Sequence, residues 1–249
     1  MRVAALYDVH GNLPALEAVL REVAEAGADR IVFGGDLVPG PMPRETFARL
    51  HALDLPAQFI HGNGDREVLA IMRGQEPTTV PTPYWPMMRW VAGQLDPREE
   101  PFLASWPLTL RVRIDGIGDV LFCHATPRND MDIFTTRTPE ERLMPLFGSV
   151  DADLVVCGHT HLPFDRRVGH VRVVNAGSVG MPFGHTGADW LLLGPDVELR
   201  HTTYDLAHAA ARIRETAYPA AEEFAGTYVL QPPSEESILE AYAKAELNA

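Results

Sequence analysis

The 249-residue sequence predicts an α/β protein, in which two facing mixed β-sheets are flanked by helices in a four-layer αββα sandwich. In the first half, short apolar runs alternate with helical patterns, which is typical of parallel strands joined by right-handed crossovers. In the second half, apolar runs come in pairs around glycine-containing turns, which indicates hairpins. Polar residues follow several of the apolar runs, as they do where buried strands end at a functional edge.

Four apolar runs are predicted to be buried strands with polar residues at their carboxyl ends. They are Val3–Leu6, Ile31–Phe33, Phe59–Ile60 and Leu154–Cys157. Two hairpins are predicted in the second half, one formed by Leu108–Ile114 with Val120–Cys123 and one by Phe164–Val168 with Val171–Val174.

The predicted helices lie between and after these strands. The first carries an apolar stripe from Leu13 to Val23, with Pro14 in its first turn and Gly27 after its last. The second extends from Pro43 to about Leu53, and the last from Ser234 to about Leu247.

Residues 74–107 interrupt the strand pattern with seven prolines and three of the four tryptophans. We interpret this segment as a helical insertion or lid beside the site, although a surface elaboration fits the same pattern. Length and composition otherwise favour one domain over residues 1–249.

The net charge of −13 opposes non-specific binding to nucleic acid or to anionic lipid, because such binding needs clustered lysine and arginine. No apolar stretch approaches the roughly 20 residues of a membrane span, so we expect a cytoplasmic protein without a membrane segment. Cys123 and Cys157 each lie within an apolar run and lack Cys-x-x-Cys spacing, which favours two reduced, buried thiols. The sequence leaves the oligomeric state open.

Five segments carry side chains suited to metal binding. They are Asp8–Asn12, Gly34–Asp36, Gly62–Asp65, His124 and Gly158–His161. Asp8 and His10 are two residues apart, as are His159 and His161, so each pair can point the same way at a strand end. Each segment alone is a weak signal, since Gly-Asp is common in turns. Together they supply six carboxylate or imidazole ligands and one amide, without a thiolate, which suits Mn²⁺, Fe²⁺, Zn²⁺ or Ni²⁺ better than a structural zinc site.

These segments resemble the five signature blocks of the calcineurin-like metallophosphoesterase superfamily, over roughly residues 1–185. The segment Asn175–Pro182 is similar to its counterpart in the small bacterial and archaeal phosphodiesterases of that superfamily. The resemblance implies that Asp8, His10 and His161 hold one metal ion. It also implies that Asn63, His124 and His159 hold a second ion and that Asp36 bridges both.

Among these residues the expected catalytic ones are Asp36, Asn63 and His124. A bridging carboxylate would place the two ions about 3.5–4 Å apart, and a hydroxide between them would attack phosphorus in line. Among the suitable metals, Mn²⁺ is the one expected first. We therefore expect hydrolysis of phosphodiesters, with a small phosphorylated compound as the substrate. The alternatives are a phosphomonoesterase or dinucleoside polyphosphate hydrolase on the same site, or a non-catalytic scaffold of the same fold.

Two departures from the superfamily pattern bear on the substrate. Many members carry histidine after the asparagine of the third block, where this chain has Gly64, and glycine cannot act as a general acid. A positive φ is one reason for glycine at this position. The second block lacks the Asp-Arg-Gly of the protein serine/threonine phosphatases, which argues against that branch.

Six further histidines and Ser178 are also candidates for a place at or near the site. His61 and His185 flank the third and last blocks and could reach the substrate, whereas four further histidines are expected to be solvated or packed. These four are His51, His170, His201 and His208. Ser178 lacks the surroundings of a nucleophile elbow, so we interpret it as part of a turn or of the site wall.

Overall fold

A computed structural model describes residues 1–247 and contains two five-stranded mixed sheets. The strands are β1 (Val3–Leu6), β2 (Arg30–Phe33), β3 (Ala57–Phe59), β4 (Thr109–Ile114), β5 (Gly118–Cys123), β6 (Leu154–Cys157), β7 (Phe164–Val168), β8 (Val171–Asn175), β9 (Ala188–Leu193) and β10 (Val197–Thr202). The first sheet has the order β10-β9-β1-β2-β3 and the second the order β4-β5-β6-β8-β7. In the first sheet β1, β2 and β3 are parallel, and in the second β5, β6 and β8 are parallel. Both predicted hairpins are present as antiparallel pairs.

Helices cover the outer faces of the two sheets. They are α1 (Leu13–Glu25), α2 (Pro43–His51), α3 (Asn63–Met72), α4 (Trp85–Gln94), α5 (Glu100–Ala104), α6 (Glu140–Phe147), α7 (Leu206–Arg214), α8 (Ala221–Glu223) and α9 (Glu235–Tyr242). A π-helix, Phe224–Leu230, continues α8, and 3₁₀ turns precede α4 and α5 at Thr82–Tyr84 and Pro97–Glu99. Residues 74–107 therefore contain four short helical segments.

The side chains of β1 show why the sheets form inner layers. Val3 and Ala5 face the second sheet and pack in the same apolar cluster as Phe122. Ala4 and Leu6 face the opposite way and pack with the stripe of α1. A third cluster joins the outer face of the second sheet to α6. Because successive side chains of a strand point to opposite faces, each sheet has apolar neighbours on both sides, and the predicted four-layer sandwich is confirmed.

The boundaries of some elements differ from the prediction. β3 ends at Phe59, and Ile60 continues as irregular backbone whose amide donates to the carbonyl of Phe33. α2 ends at His51 rather than near Leu53. Helix ends fray, and local sequence fixes them weakly.

The two cysteines lie on the neighbouring strands β5 and β6 as free, buried thiols, as predicted. Within residues 1–247, every helix is too short or too polar to cross a lipid bilayer.

Candidate metal centre

The predicted ligands follow the carboxyl ends of parallel strands from both sheets. Asp8 follows β1, Asp36 follows β2 and Asn63 opens α3 after β3. In the second sheet, His124 directly follows β5, and the pair His159 and His161 follows β6. The loops after β1 and β2 are joined by backbone hydrogen bonds, including one of 2.9 Å from the amide of His10 to the carbonyl of Asp36. The facing sheets thus bring their functional edges together.

Five of the seven predicted ligands have left-handed backbone conformations. They are Asp8 (φ 53°), His10 (φ 48°), Asp36 (φ 50°), His159 (φ 66°) and His161 (φ 57°). For a residue with a Cβ atom this conformation costs about 1–2 kcal/mol, although aspartate tolerates it better than most. Such strained residues cluster at functional sites, where the surrounding structure maintains them. Here they include both members of each pair, Asp8 with His10 and His159 with His161.

The ligand atoms lie at distances suited to shared ions. Nε2 of His10 lies 3.1 Å from Nε2 of His161, and Oδ1 of Asp8 lies 3.3 Å from that His161 nitrogen. Two ligand atoms that bind the same ion, each at about 2.0–2.2 Å, lie about as far from each other as these atoms do. Asp8, His10 and His161 therefore form one candidate metal-binding group.

A second candidate group contains Asp8, Asp36 and His124. Nε2 of His124 lies 3.7 Å from Oδ2 of Asp36 and 3.8 Å from Oδ1 of Asp8. The same Asp36 oxygen lies 3.9 Å from Nε2 of His10. Asp36 is therefore within reach of both groups, which is the position that a bridging carboxylate needs.

Several of these atoms are buried and lack a hydrogen-bond partner among the described residues. They are Oδ1 of Asp8, Oδ1 of Asn63 and Nε2 of His124. A buried polar atom without a partner costs about 1–3 kcal/mol, so native proteins rarely keep one without a reason. Asp8 and His124 belong to the candidate groups, and Asn63 lines the adjoining cavity with Asp36. All three atoms carry lone pairs, which divalent cations would satisfy.

Three of the histidines are oriented by backbone carbonyls. Nδ1 of His10 lies 3.2 Å from the carbonyl of Pro39, that of His124 lies 2.9 Å from the carbonyl of Gly34, and that of His161 lies 2.8 Å from the carbonyl of Met181. A carbonyl only accepts, so Nδ1 donates and the Nε2 lone pair is left free. Metal-binding histidines in other proteins are held in this way.

The electrostatics favour the ionisation states that bind cations. Burial raises the pKa of the Asp8 carboxyl, but the imidazoles of His161 and His124 outweigh it and hold that pKa well below its usual range. Burial and the nearby imidazole of His124 lower the pKa of His159 to about 4, and burial also lowers the pKa of His10. At neutral pH, Asp8 is therefore ionised and both histidines are neutral, as ligation requires.

The pKa of His124 shifts the other way. Burial alone would lower it, but the carboxylates of Asp36 and Asp8 outweigh burial and raise it. Cations at the centre would compete with that proton, since both need the same nitrogen.

The first turn of α3 fixes Asp36 from the opposite side. The amide of Gly64 donates to Oδ1 of Asp36 at 2.7 Å. Asp65 accepts hydrogen bonds from the amides of Gly62, Leu37 and Val38, so it ties the loop after β2 to the start of this helix. The positive end of the helix dipole also faces the Asp36 carboxylate.

The structural reason for Gly64 is steric. Its φ is not positive, so a left-handed backbone is not the reason for this glycine. A Cβ atom at this position would lie 2.5 Å from Cγ of Pro39 and 3.0 Å from Oδ1 of Asp36. The close approach of α3 to the loop after β2 therefore excludes a side chain.

The segment Asn175–Pro182 supports the ligand loops. Oγ of Ser178 donates to the carbonyl of Asp8 at 2.8 Å and accepts from the amide of Met181, which makes Ser178 part of a turn. The Asn175 side chain donates to the carbonyl of Gly158 at 2.7 Å. These bonds hold the left-handed loops in place.

His61 and His185 lie away from the cavity that contains His10, Asp36 and Asn63. Nδ1 of His61 lies 3.4 Å from Oδ2 of Asp130, and its side chain lines a different cavity beside Trp106. Nε2 of His185 lies 2.9 Å from Oδ2 of Asp189, which also pairs with His201.

Sequence reasoning missed the second wall of the site cavity, which comes from residues 218–228. The site cavity is lined here by Tyr218, Phe224 and Tyr228, together with Met87 and Met88 of α4. The concentration of aromatic residues around Pro219 was the available signal. It carries no information about which cavity those rings face.

Comparisons with known proteins agree with this fold. Residues 1–194 match the calcineurin-like phosphoesterase superfamily domain. An uncharacterized protein of Methanocaldococcus jannaschii is 29% identical over 245 residues, covering 87% of this chain and 93% of that protein. The phosphodiesterase YfcE of Escherichia coli K12 is 27% identical over 206 residues, covering 79% of this chain and 89% of that protein.

Solved structures show the same architecture. A metallophosphoesterase from Sphaerobacter thermophilus aligns with a TM-score of 0.70 at 28% identity, over 92% of this chain and 99% of that one. A hypothetical protein from Pyrococcus horikoshii aligns with a TM-score of 0.78 at 21% identity, over 93% of this chain and 99% of that one. The match over residues 1–194 covers most of the chain, which therefore belongs to the calcineurin-like phosphoesterase superfamily.

Proposed function

We propose that the chain is a phosphodiesterase that depends on two divalent metal ions, with Mn²⁺ as the leading candidate and Fe²⁺, Zn²⁺ or Ni²⁺ as alternatives. The observation that carries this proposal is the position of Asp36, whose Oδ2 atom lies within 3.9 Å of the Nε2 atoms of both His10 and His124. The E. coli relative named as a phosphodiesterase supports the substrate class.

Seven side chains of this chain would hold the ions. In the proposed arrangement Asp8, His10 and His161 bind one, Asn63, His124 and His159 bind the other, and Asp36 bridges them. When bound, two divalent ions neutralise the phosphoryl oxygens and make water a competent nucleophile at neutral pH. The carbonyls behind His10, His124 and His161 keep each Nε2 atom aimed at the centre, so little reorganisation is needed on binding.

The loops and the start of α3 also determine how the protein would position and attract the phosphodiester. Attack in line requires a fixed phosphorus position, and the N-terminal turn of α3 presents positive dipole character beside Asp36. Among residues 1–247, the structure places no lysine or arginine in the adjoining cavity, so the metal ions would provide the attraction for the anionic substrate.

Metal content and turnover, measured together, test the proposal. We expect about two divalent ions per chain, loss of bis-p-nitrophenyl phosphate hydrolysis on exhaustive chelation, and recovery with Mn²⁺. Full activity after verified metal removal would contradict the metal-dependent mechanism, and bound metal without turnover of any ester would favour the scaffold alternative.

A further inference from the structure

The candidate metal centre opens into a cavity of about 200 Å³. We call this the side cavity. His10, Asp36 and Asn63 form its metal-centre end. The cavity is therefore continuous with the place where the phosphoryl group would bind.

Two segments outside the metal-binding loops form the walls of the side cavity. Residues 80–91 contribute one wall, which includes Val80, Tyr84 and Met88. Residues 218–228 contribute the facing wall, which includes Phe224 and Tyr228. Neither wall contributes a predicted metal ligand, so their apolar character is independent of metal binding.

The second wall has an unusual backbone. Phe224 and Tyr228 lie on the π-helix, and their rings are in edge contact with centroids 5.6 Å apart. π-helical turns are rare and occur often at functional sites. This turn presents aromatic surface to the side cavity, where a planar or compact apolar group can pack.

The charges around the side cavity favour neutral groups over anionic ones. None of the lining residues within 1–247 is lysine or arginine, and exposed Glu223 lies on the second wall. A carboxylate or second phosphate entering the cavity would lose hydration without gaining a cationic partner. A neutral group would incur no such cost.

We propose that the side cavity binds one ester substituent of the phosphodiester, and that this substituent is an uncharged aromatic or similarly compact apolar group. The inference rests on the proposed function. The volume fits this class, since an apolar cavity of about 150 Å³ in another protein binds benzene. The lining of the side cavity disfavours polyphosphate substrates, because their remaining phosphates would contact apolar walls and Glu223.

Calorimetry on the metal-loaded protein separates this inference from turnover. The probes are three esters that share a singly charged methylphosphonate group and have poor leaving groups. They are methyl, phenyl and 4-carboxyphenyl methylphosphonate. We expect the phenyl ester to bind about tenfold or more tightly than the methyl ester, because more apolar surface is buried. We expect the 4-carboxyphenyl ester to lose that advantage.

Two pairs of variants localise the effect. Tyr84 is 51% exposed, so Tyr84→Ala should preserve the fold while reducing the preference for phenyl over methyl about fivefold; Tyr84→Phe should retain it. Glu223→Lys should improve 4-carboxyphenyl binding. Glu222→Lys changes the net charge by the same amount, but Glu222 pairs with Arg214 and does not line the side cavity. This control substitution should therefore leave 4-carboxyphenyl binding unchanged.

The outcomes are distinguishable from a failure of the proposed function. Equal binding of the methyl and phenyl esters, an unchanged preference in Tyr84→Ala, or equal effects of the two lysine substitutions would overturn the inference. Hydrolysis of bis-p-nitrophenyl phosphate in the same preparation would show that the proposed function stands even then. Selective binding without hydrolysis would support the side cavity and contradict the diesterase proposal.

Discussion

The backbone amide of Gly64 donates a 2.7 Å hydrogen bond to Oδ1 of Asp36 and thereby ties the candidate bridging carboxylate to the first turn of α3. The other oxygen, Oδ2, remains directed at the imidazoles of His10 and His124. One carboxylate is thus held by the backbone on one side and available to cations on the other. Because a backbone amide makes this bond, glycine is needed here for the close approach of Pro39 rather than for the hydrogen bond.

Replacing Asp36 tests the bridging role. Asp36→Asn keeps an oxygen that can accept from Gly64 but loses the negative charge, so we expect kcat to fall by more than about 100-fold and both ions to bind weakly. Asn63→Ala and His124→Ala should weaken one ion first and cost less. Metal stoichiometry measured beside turnover checks this, and an active Asp36→Asn variant with two ions would refute the assignment.

Replacing Gly64 tests the steric reason for this glycine. In Gly64→Ala the new methyl group would lie 2.5 Å from Cγ of Pro39, and overpacking of this kind costs about 1–3 kcal/mol. Gly93→Ala in α4 is the matched control, because nothing lies within 4 Å of its added Cβ atom, and it should be neutral or stabilising.

Urea unfolding of the two alanine variants and of Pro39→Ala/Gly64→Ala measures the effect. We expect the double variant to recover part of the lost stability, since it removes the atom that clashes. Equal stabilities of Gly64→Ala and the unmodified protein would show that the loop after β2 moves aside without cost.

The absence of an acid at position 64 predicts a preference for diesters. A general acid typically contributes about 10²- to 10⁴-fold, and a monoester with its dianionic phosphate gains most from one. We expect bis-p-nitrophenyl phosphate to be hydrolysed with higher kcat/KM than p-nitrophenyl phosphate with Mn²⁺. A clear preference for the monoester would reveal an acid elsewhere, and His61→Ala and His185→Ala would then test whether either imidazole supplies it.

The pair formed by His185 and Asp189 predicts a pH-dependent contribution to stability. The hydrogen bond to Asp189 raises the pKa of His185 above its ordinary value of 6.5. A raised folded-state pKa stabilises the protein fully below the unfolded pKa, and the contribution is lost as pH rises through the folded pKa. His185→Gln should therefore reduce the free energy of unfolding more at pH 5.5 than at pH 8.5.

Chemical unfolding at both pH values, with metal present, measures this difference. Asp189→Asn provides the control, because in that background the change at His185 should have a smaller pH dependence. A loss that is equal at both pH values in the original background would mean that the protonated imidazole contributes nothing to folding.

Local patterns determined much of this protein. Three strands have the predicted limits, namely Val3–Leu6, Leu154–Cys157 and Phe164–Val168. Apolar runs and turn residues are properties of the segment itself. The order of acid, amide and imidazole residues likewise carries the superfamily resemblance, which implies the seven candidate ligands. The unbroken apolar run of β1 also predicted apolar side chains on both of its faces.

Other features depend on which surfaces meet, and only the tertiary structure decided them. The reason for Gly64 is its contact with Pro39, 25 positions away in sequence, and no local conformational preference records that contact. The apolar wall containing Phe224 and Tyr228 lines the same cavity as His10, Asp36 and residues 80–91, which are distant from it in sequence. Burial and cavity shape are set by long-range pairs of surfaces, whereas strands, turns and ligand types are set by neighbours along the chain.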